Sequence, residues 1–454
     1  RSICSKNRRH RDYTLPELEE VVREIAVWMP VYRTYIRAES GQVDAEDRNI
    51  VESVLEAVHK ELEHVDPLLL SWVRSLLFLE QSGEQESELV MRLQQLSAPA
   101  MAKGAEDTAF YCYNRLLALN EVGGDPSGFH RSPQAFHQAM QHRQQTTPKA
   151  MSTTSTHDTK RSEDVRARLA VLSEIPGQWA EAVRRWAARN EKAKTGGWPE
   201  RNLEYHLYQT LVGAWPLEEE RAQAYAQKAM REAKVQTAWT RVNVEYEECV
   251  HSFLQALYQD GAFLQDLDSF VHSIKEAGYV NSLTQVLLKL TCPGIPDVYQ
   301  GTELWDFSLV DPDNRRKVDY GLRRDLLSQM EKMSVQEIMD RMDQGLPKLW
   351  LVTQGLHLRQ DLPEAFGPGG TYTPIPVSGN RSEHCLAFAR GNRIVSVGQR
   401  LAQSLQNQWE NTSLELPPGT WVNVLTRETF TGGQQQLSTL LARFPLALLR
   451  KRSS

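Results

Sequence analysis

A histidine and an aspartate stand side by side where the residue types of this 454-residue chain are best suited to chemistry. His157 and Asp158 follow a short run of threonine and serine and precede a charged, amphipathic stretch. A carboxylate and an imidazole placed together can bind hydroxyl groups and stabilise the positive charge that develops in a transition state. The alternative is structural, with Asp158 capping the next helix and His157 packed beside it. The local pattern alone leaves both open.

The elements around this pair predict how it is positioned. Residues 150–156 are small or β-branched, which favours a buried strand. An amphipathic helix follows, with Glu163 and Asp164 in its first turn, where carboxylates suit the helix dipole. A (β/α)8 barrel presents its active site in this way, at the C-terminal ends of its strands. The sequence therefore predicts a barrel-type junction between strand and helix at His157 and Asp158.

Four more charged side chains lie close to such junctions. Lys160 and Arg161 follow the pair directly and are expected at the mouth of a site, although a solvated helix start has the same pattern. Lys103 and Glu106 can share one helical face, and the alternative for them is a surface ion pair of about 0.2–0.5 kcal/mol. A short apolar run over residues 98–102 precedes them and predicts a second strand.

A third junction is predicted after a strand over residues 292–299. The polar loop behind it carries Asp313, Asn314 and Arg315. These side chains can bind sugar hydroxyls, or they can form hydrogen bonds within the loop. The pattern does not decide between the two.

Outside the junctions the chain is mostly helical until about residue 370. Residues 14–96 are typical of successive helices, the first with a capping box of Thr14 and Glu17, and residues 177–278 form a second helical stretch. Short alternating runs then predict an antiparallel β domain. Three domains are expected: a helical subdomain over 1–97, a part with the junctions over 98–345 and a helical insertion at about 177–278, and a C-terminal β domain over 346–454.

Composition argues against several classes of partner. The net charge is −6, with acidic and basic residues mixed along the chain, which argues against a nucleic-acid or anionic-membrane partner. Five scattered cysteines without C-x-x-C spacing favour reduced thiols in a cytoplasm over a disulfide framework or a zinc site. No apolar run approaches the roughly 20 residues that span a bilayer. The first residues carry neither a start methionine nor a signal-peptide pattern, so we expect a portion of a longer protein.

Separate blocks of the sequence resemble motifs of one family, the maltooligosyltrehalose synthases of the α-amylase-like glycosidases. Residues 153–168 resemble the seventh-strand motif, residues 101–111 the sixth-strand motif, and residues 293–303 the eighth-strand signature of the wider α-amylase group. Residues 311–316 match as well, although Lys317 replaces a usual proline. The resemblance implies an incomplete TIM (β/α)8 barrel with strands six to eight and large helical insertions, followed by a C-terminal antiparallel β-sandwich.

The resemblance also implies a role for each candidate residue. Asp158 is implied to be the third catalytic carboxylate, which binds the sugar in subsite −1. Lys160, Lys103 and Glu106 are implied to contact the glucose in subsite +1, whereas Cys112, which stands where most relatives carry arginine, leaves a contact from that position in doubt. Neither a cofactor nor a metal is implied. The other implied substrate-binding residues are His157, Arg161, Asp313, Asn314 and Arg315.

The implied activity is an intramolecular transglucosylation of trehalose biosynthesis, in which the reducing-end α-1,4 linkage of a maltooligosaccharide becomes an α,α-1,1 linkage. A retaining mechanism needs two further carboxyl groups roughly 5 Å apart. In the family these are an Asp and a Glu on strands four and five, and no block in residues 1–97 resembles their motifs. The chain alone is therefore expected to be inactive without the N-terminal half of the barrel. Two alternatives stay open: another α-amylase-like hydrolase or transglycosidase, and a non-catalytic glucan-binding module.

Overall fold

The computed structural model describes residues 2–5, 8–81 and 83–452. The chain divides into two units, Arg1–Tyr113 with Glu232–Lys234, and Asn114–Arg231 with Val235–Ser454. This division follows internal packing. The domain limits expected from the sequence at residues 97 and 345 stay predictions.

The first unit is built from helices around an apolar core. In chain order they are α1 (Ser2–Ser5), α2 (Leu15–Val27), α3 (Ala45–Glu61), α4 (Pro67–Leu77), α5 (Glu84–Met101), a π-helical segment (Ala102–Ala109) and α6 (Phe110–Cys112). Val54 and Val58 of α3 and Leu76 of α4 are almost fully enclosed in the core. Thr14 and Glu17 form the predicted capping box at the start of α2. The helices predicted over residues 14–96 are confirmed.

The strand predicted over residues 98–102 is wrong. Helix α5 continues through Pro99 to Met101 and passes into the π-helical segment. Alanine and methionine are strong helix formers, and a short apolar run has the same pattern in a buried strand as in a buried helix. Val90 and Leu93 already face the core from α5, so the run extends an established helix.

The helices of the remaining chain include one that is held very close to its neighbours. They are α7 (Pro133–Thr146), α8 (Glu163–Ala170), α9 (Pro176–Asn190), α10 (Arg201–Ala214), α11 (Glu219–Ala233), α12 (Val244–Gln259), α13 (Gly261–Thr291), α14 (Tyr320–Met330), α15 (Val335–Met339), α16 (Leu346–Asp361), α17 (Pro363–Phe366), α18 (Ala402–Leu405) and α19 (Leu437–Leu440). A Cβ added at Gly213 of α10 would lie 2.9 Å from side-chain atoms of Val165 and Leu169. A Cβ added at Gly278 of α13 would lie 3.1 Å from Arg168 Cα. Because both positions lack a side chain, α8 packs closely against α10 and α13.

Two very short parallel strands precede the Asp158 region and the 311–316 loop. β1 (Met151–Ser152) pairs with β2 (Ile295–Pro296), with Met151 opposite Ile295. The strands predicted over residues 150–156 and 292–299 are therefore present but much shorter. Two prolines limit the second one, since proline has no N–H to donate to a sheet.

The C-terminal region forms one antiparallel sheet of seven strands. They are β3 (Tyr372–Pro374), β4 (Val377–Ser378), β5 (Cys385–Arg390), β6 (Ile394–Gln399), β7 (Ser413–Asn423), β8 (Thr429–Gln436) and β9 (Ala447–Lys451). Their order is β3-β5-β6-β9-β7-β4, and β8 also pairs with β7. Every residue of β5 and β6 is buried, and Gly398 of β6 packs against Thr284 of α13. The predicted antiparallel β region is confirmed, whereas the two layers of a sandwich are not, because the strands belong to a single sheet.

Three chemical properties of the described ranges bear on the class of protein. All five cysteines are free thiols. Within residues 2–5, 8–81 and 83–452, no helix is both long and apolar enough to cross a membrane. In the same ranges, no three His, Cys, Asp or Glu side chains gather as metal ligands would.

Candidate active site

Asp158 lies in a turn that threonine hydroxyl groups stabilise. Its N–H donates to Thr156 Oγ1 at 3.1 Å, and Thr159 Oγ1 donates to the Thr156 carbonyl at 2.9 Å. Directly after β1, Thr153 also donates its hydroxyl to the Ser155 carbonyl at 2.6 Å, and such local bonds compete with strand pairing. The Asp158 side chain is 69% exposed, and its Oδ2 lies 3.2 Å from His157 Nε2. The turn thus presents a carboxylate and an imidazole together to solvent.

Asn314 holds the first half of this turn. Its Nδ2 donates to the carbonyl oxygens of Thr156 at 3.2 Å and His157 at 3.0 Å. The main-chain carbonyl of Asn314 accepts a hydrogen bond from Tyr299 Oη at 3.2 Å. The sequence left two roles open for Asn314, a contact with sugar and a hydrogen bond within the protein. Its Nδ2 forms hydrogen bonds within the protein. A contact with sugar stays a prediction.

Glu121 holds the second half of the turn. Its buried carboxylate accepts the N–H groups of Lys160 at 2.8 Å and Arg161 at 3.2 Å. Arg166 Nε lies 3.5 Å from the same carboxylate. Hydrogen bonds from N–H groups to a carboxylate are charge-assisted and therefore stronger than neutral ones. Asn314 and Glu121 together fix the backbone on both sides of Asp158.

A buried cluster of four charged side chains anchors the start of α8 behind the turn. Lys348 Nζ of α16 lies 2.8 Å from Glu163 Oε1 and 2.8 Å from Asp164 Oδ2. Lys289 Nζ of α13 lies 3.1 Å from Glu163 Oε2. Thr154, at the end of the strand segment, donates its hydroxyl to Glu163. The cluster therefore ties three helices to the segment that leads into Asp158.

The two positive and two negative charges of this cluster balance each other. Burial alone would raise the pKa of Glu163, but Lys348 and Lys289 outweigh it and lower the pKa to about 2. Burial alone would lower the pKa of Lys348, but Asp164 and Glu163 outweigh it and raise the pKa. Glu163 and Asp164 were expected to interact with the helix dipole, and the structure shows that they are also buried ion-pair partners.

Lys160 and Arg161 are buried, with 6% and 1% of their surface exposed. Arg161 Nη2 donates to Tyr225 Oη at 2.6 Å. His206 Nε2 lies 2.9 Å from the same oxygen, and burial, with a smaller effect of Arg161, holds the pKa of His206 well below its usual range. The alternative of a solvated helix start is wrong, because both side chains are enclosed. A contact of either residue with sugar stays a prediction.

Asp313 is bound by Arg221 and shapes the loop that carries Asn314. Arg221 Nε and Nη2 each donate to one Asp313 oxygen at 2.8 Å, and the Leu309 N–H donates at 2.7 Å. Burial alone would raise the pKa of Asp313, but these bonds outweigh it and lower the pKa. Arg315 pairs with Asp311 and remains half exposed. Sugar contacts of Asp313 and Arg315 stay predictions.

Lys103 and Glu106 belong to the first unit and lie on its π-helical segment. Lys103 is exposed, and its Nζ lies 2.5 Å from Asp107 Oδ2. Glu106 is buried and accepts a hydrogen bond from the Tyr32 hydroxyl. Short π-helical segments are rare and often occur at functional sites. The expected contacts of Lys103 and Glu106 with sugar rest on the family resemblance alone.

Sequence reasoning missed the residues that support these candidates. Glu121 stands just before a Gly-Gly-Asp-Pro run, which is typical of a loop and does not mark the carboxylate as buried. Tyr32 and Arg221 have no local pattern that marks them as partners of Glu106 and Asp313. Only the contacts in the folded chain identify all three.

Comparison with known proteins gives no matching family model. A curated relative from Mycobacterium tuberculosis (strain ATCC 25618 / H37Rv), described as "Putative maltooligosyl trehalose synthase", is 40% identical over 372 residues. The match covers 80% of this chain and 45% of the relative. The chain therefore spans about half the length of the curated relatives it matches.

Solved structures of similar proteins agree with that match. Maltooligosyltrehalose synthase from Arthrobacter ramosus superposes with a TM-score of 0.82 at 35% identity, covering 96% of this chain and 54% of that one. A hypothetical maltooligosyl trehalose synthase from Sulfolobus tokodaii gives a TM-score of 0.72 at 30% identity, covering 95% of this chain and 53% of that one. The helical part and the antiparallel sheet of this chain thus have counterparts in both.

Proposed function

Because the chain belongs to the maltooligosyltrehalose synthase family and matches about half the length of its relatives, we propose that it supplies the Asp158 part of a trehalose-forming active site. The observation that carries this proposal is the exposed carboxylate of Asp158, held between Asn314 and Glu121 and beside His157. The proposed reaction converts the reducing-end α-1,4 linkage of a maltooligosaccharide into an α,α-1,1 linkage, as a step of trehalose biosynthesis.

We further propose that β1, β2 and α8 belong to a (β/α)8 barrel. The support is that β1 and β2 are parallel and that the polar segments bearing Asp158 and Asn314 follow their C-terminal ends. In barrel enzymes the reactive side chains come from these ends. The remaining strands would then come from polypeptide outside residues 1–454.

In the proposed mechanism Asp158 binds hydroxyl groups of the sugar in subsite −1. A second carboxylate attacks the anomeric carbon as the α-1,4 bond breaks, and a third carboxyl group gives its proton to the leaving glucose oxygen. The freed glucose turns, and its anomeric hydroxyl attacks the glycosyl-enzyme while the third group takes the proton back. Asp158 stabilises the positive charge that develops on the sugar ring.

The chain by itself is expected not to convert maltooligosaccharides. Asp158 provides only one of the three carboxyl groups, and no block of residues 1–97 resembles the motifs of the other two. The measurement is incubation of purified residues 1–454 with maltopentaose, followed by chromatography of the products. Trehalosyl product at a rate comparable to full-length relatives would mean that the nucleophile and the acid lie within this chain.

Loss of groups assigned to subsite +1 is expected to change the ratio of products. In an enzyme with the full length of its relatives, Glu106→Gln or Lys160→Met should raise the ratio of free glucose to trehalosyl product, because water then competes better with the freed glucose. Glu106→Gln can still accept the Tyr32 hydroxyl, so it tests the charge. Lys149→Met, at an exposed position, is the matched control for Lys160. If both products fall in constant ratio, these residues do not retain the glucose.

A further inference from the structure

A cavity of about 470 Å³ lies on the second unit, and the residues that line it do not include those of the Asp158 turn. Its wall is formed by α13, by α15 and the turn behind it, by residues 407–409, and by α19 with the chain up to residue 445. The volume lies within the range of about 300–1,000 Å³ that small-molecule sites have. No group of the proposed mechanism lies in it.

Four polar side chains of the cavity wall have no partner among the residues that the structure describes. Glu276, Asn407, Ser438 and Arg443 are exposed, and their side chains form neither a hydrogen bond nor an ion pair with any residue in the described ranges. By contrast, Lys275 next to Glu276 pairs with Asp343. One carboxylate and one guanidinium balance each other in charge, so the wall favours a neutral ligand with many hydroxyl groups. The planar carboxylate, amide and guanidinium groups among these four suit such a ligand, because each can form a hydrogen bond with a hydroxyl group and fix its orientation.

Apolar side chains also line the cavity. Met339 and Met342 are half buried, and Trp409 and Phe444 are buried. A lining with both polar and apolar groups suits a sugar ring, whose hydroxyl groups lie at the edge and whose C–H groups lie on the face.

The backbone next to the cavity is held in an uncommon conformation. Leu401, Gln406, Asn407 and Glu410 are non-glycine residues with φ between 50° and 57°. Residues other than glycine rarely adopt this left-handed conformation. It is retained where the surrounding structure holds it, often at binding sites. Arg381 and Asn380 hold Glu410, at 2.9 and 2.8 Å. The segment therefore keeps Asn407 at the cavity wall.

We propose that this cavity is a second binding site for a short stretch of α-1,4-glucan. The inference rests on the proposed function, because the proposed substrate is a glucan chain that extends beyond the sugars at its reacting end. A second site that holds a distant part of the same or another glucan raises the effective concentration of substrate near the enzyme. The cavity binds neutral maltooligosaccharide through Glu276, Asn407, Ser438 and Arg443, with the sugar faces on Met339 and Met342.

The test uses the chain itself and methyl NMR of ¹³C-labelled methionine. Maltopentaose is expected to shift the Met339 and Met342 methyl resonances in a saturable manner. Asn407→Ala combined with Arg443→Ala should weaken that binding at least tenfold. Arg427→Ala, at an exposed position in the same region and outside the cavity, should leave it unchanged. Met151, on the strand before the Asp158 turn, reports on the other site.

Each other outcome overturns the inference. Unshifted Met339 and Met342 resonances at millimolar maltopentaose mean that the cavity does not bind glucan, and equal shifts with cellopentaose mean that it does not recognise α-glucan. Shifts that survive the double substitution place the sugar elsewhere. If only Met151 responds, glucan binds on the Asp158 side alone, and the proposed function stands while the second site falls. Loss of turnover in the Asp158→Asn enzyme tests the proposed function separately.

Discussion

Replacement of Asp158 by asparagine is expected to abolish nearly all turnover in an enzyme that carries this segment within the full length of its relatives. The substitution keeps the shape of the side chain and removes the charge that would face the sugar. Loss of one group that stabilises transition-state charge typically costs about 10²–10³-fold in kcat. The fold should not change, because the Asp158 side chain is 69% exposed. The measurements are steady-state kinetics with maltopentaose and thermal unfolding.

Three further variants make this result specific to the site. Asp325→Asn, at an exposed position of α14, should leave turnover unchanged. Asn314→Ala should lower kcat less than Asp158→Asn, because the carboxylate is still present but its turn is no longer held from the Thr156 side. The double variant should be no slower than Asp158→Asn alone, since both changes act through one carboxylate. Activity of Asp158→Asn within about tenfold of the parent, or about 1.4 kcal/mol, would contradict the assignment.

Local patterns predicted those parts of the fold that depend on neighbouring residues. The helices of residues 14–96 follow from apolar residues at helical spacing, and the capping box of Thr14 and Glu17 needs only two residues three apart. The position of Asp158 after a strand also follows from order along the chain. The length of that strand could not be predicted in this way. The β-branched shape of threonine favours a strand, whereas its hydroxyl group can form local hydrogen bonds that end one.

The supports of the site depend on residues that are far apart in sequence. Lys348 lies 184 residues from Asp164, in a helix whose other buried residues are apolar. Asn314 lies 157 residues from the His157 carbonyl that it binds. No spacing rule connects such positions, so one sequence points to His157 and Asp158 as candidates but not to the groups that hold them. The apolar run over residues 98–102 shows the same limit, since its helical state was decided by the helix before it.

Replacement of Lys348 by methionine is expected to lower the free energy of unfolding by about 3–5 kcal/mol, the usual cost of removing one partner of a buried ion pair. Lys348 is fully buried, and its Nζ is 2.8 Å from both Glu163 and Asp164. Methionine fills a similar volume, so the loss reports on charge. Asp164 loses its lysine, whereas Glu163 keeps Lys289. Urea denaturation followed by circular dichroism measures the change, and Lys192→Met, at an exposed position, should stay within about 0.5 kcal/mol of the parent.

The pH dependence and a second substitution separate charge from packing. In the parent the pKa of Glu163 is lowered from 4.5 to about 2, so this carboxylate stabilises the fold above about pH 4.5, and the stabilisation is lost as pH falls toward 2. Protonation of the carboxylates in acid also removes the uncompensated charge in Lys348→Met, so the difference from the parent should shrink there. Asp164→Asn added to Lys348→Met should restore part of the stability at neutral pH, because a neutral amide needs no counter-charge. A difference that does not shrink as pH falls from 4.5 toward 2, or a double variant that is less stable than Lys348→Met alone, would show that packing rather than charge holds α8 behind the Asp158 turn.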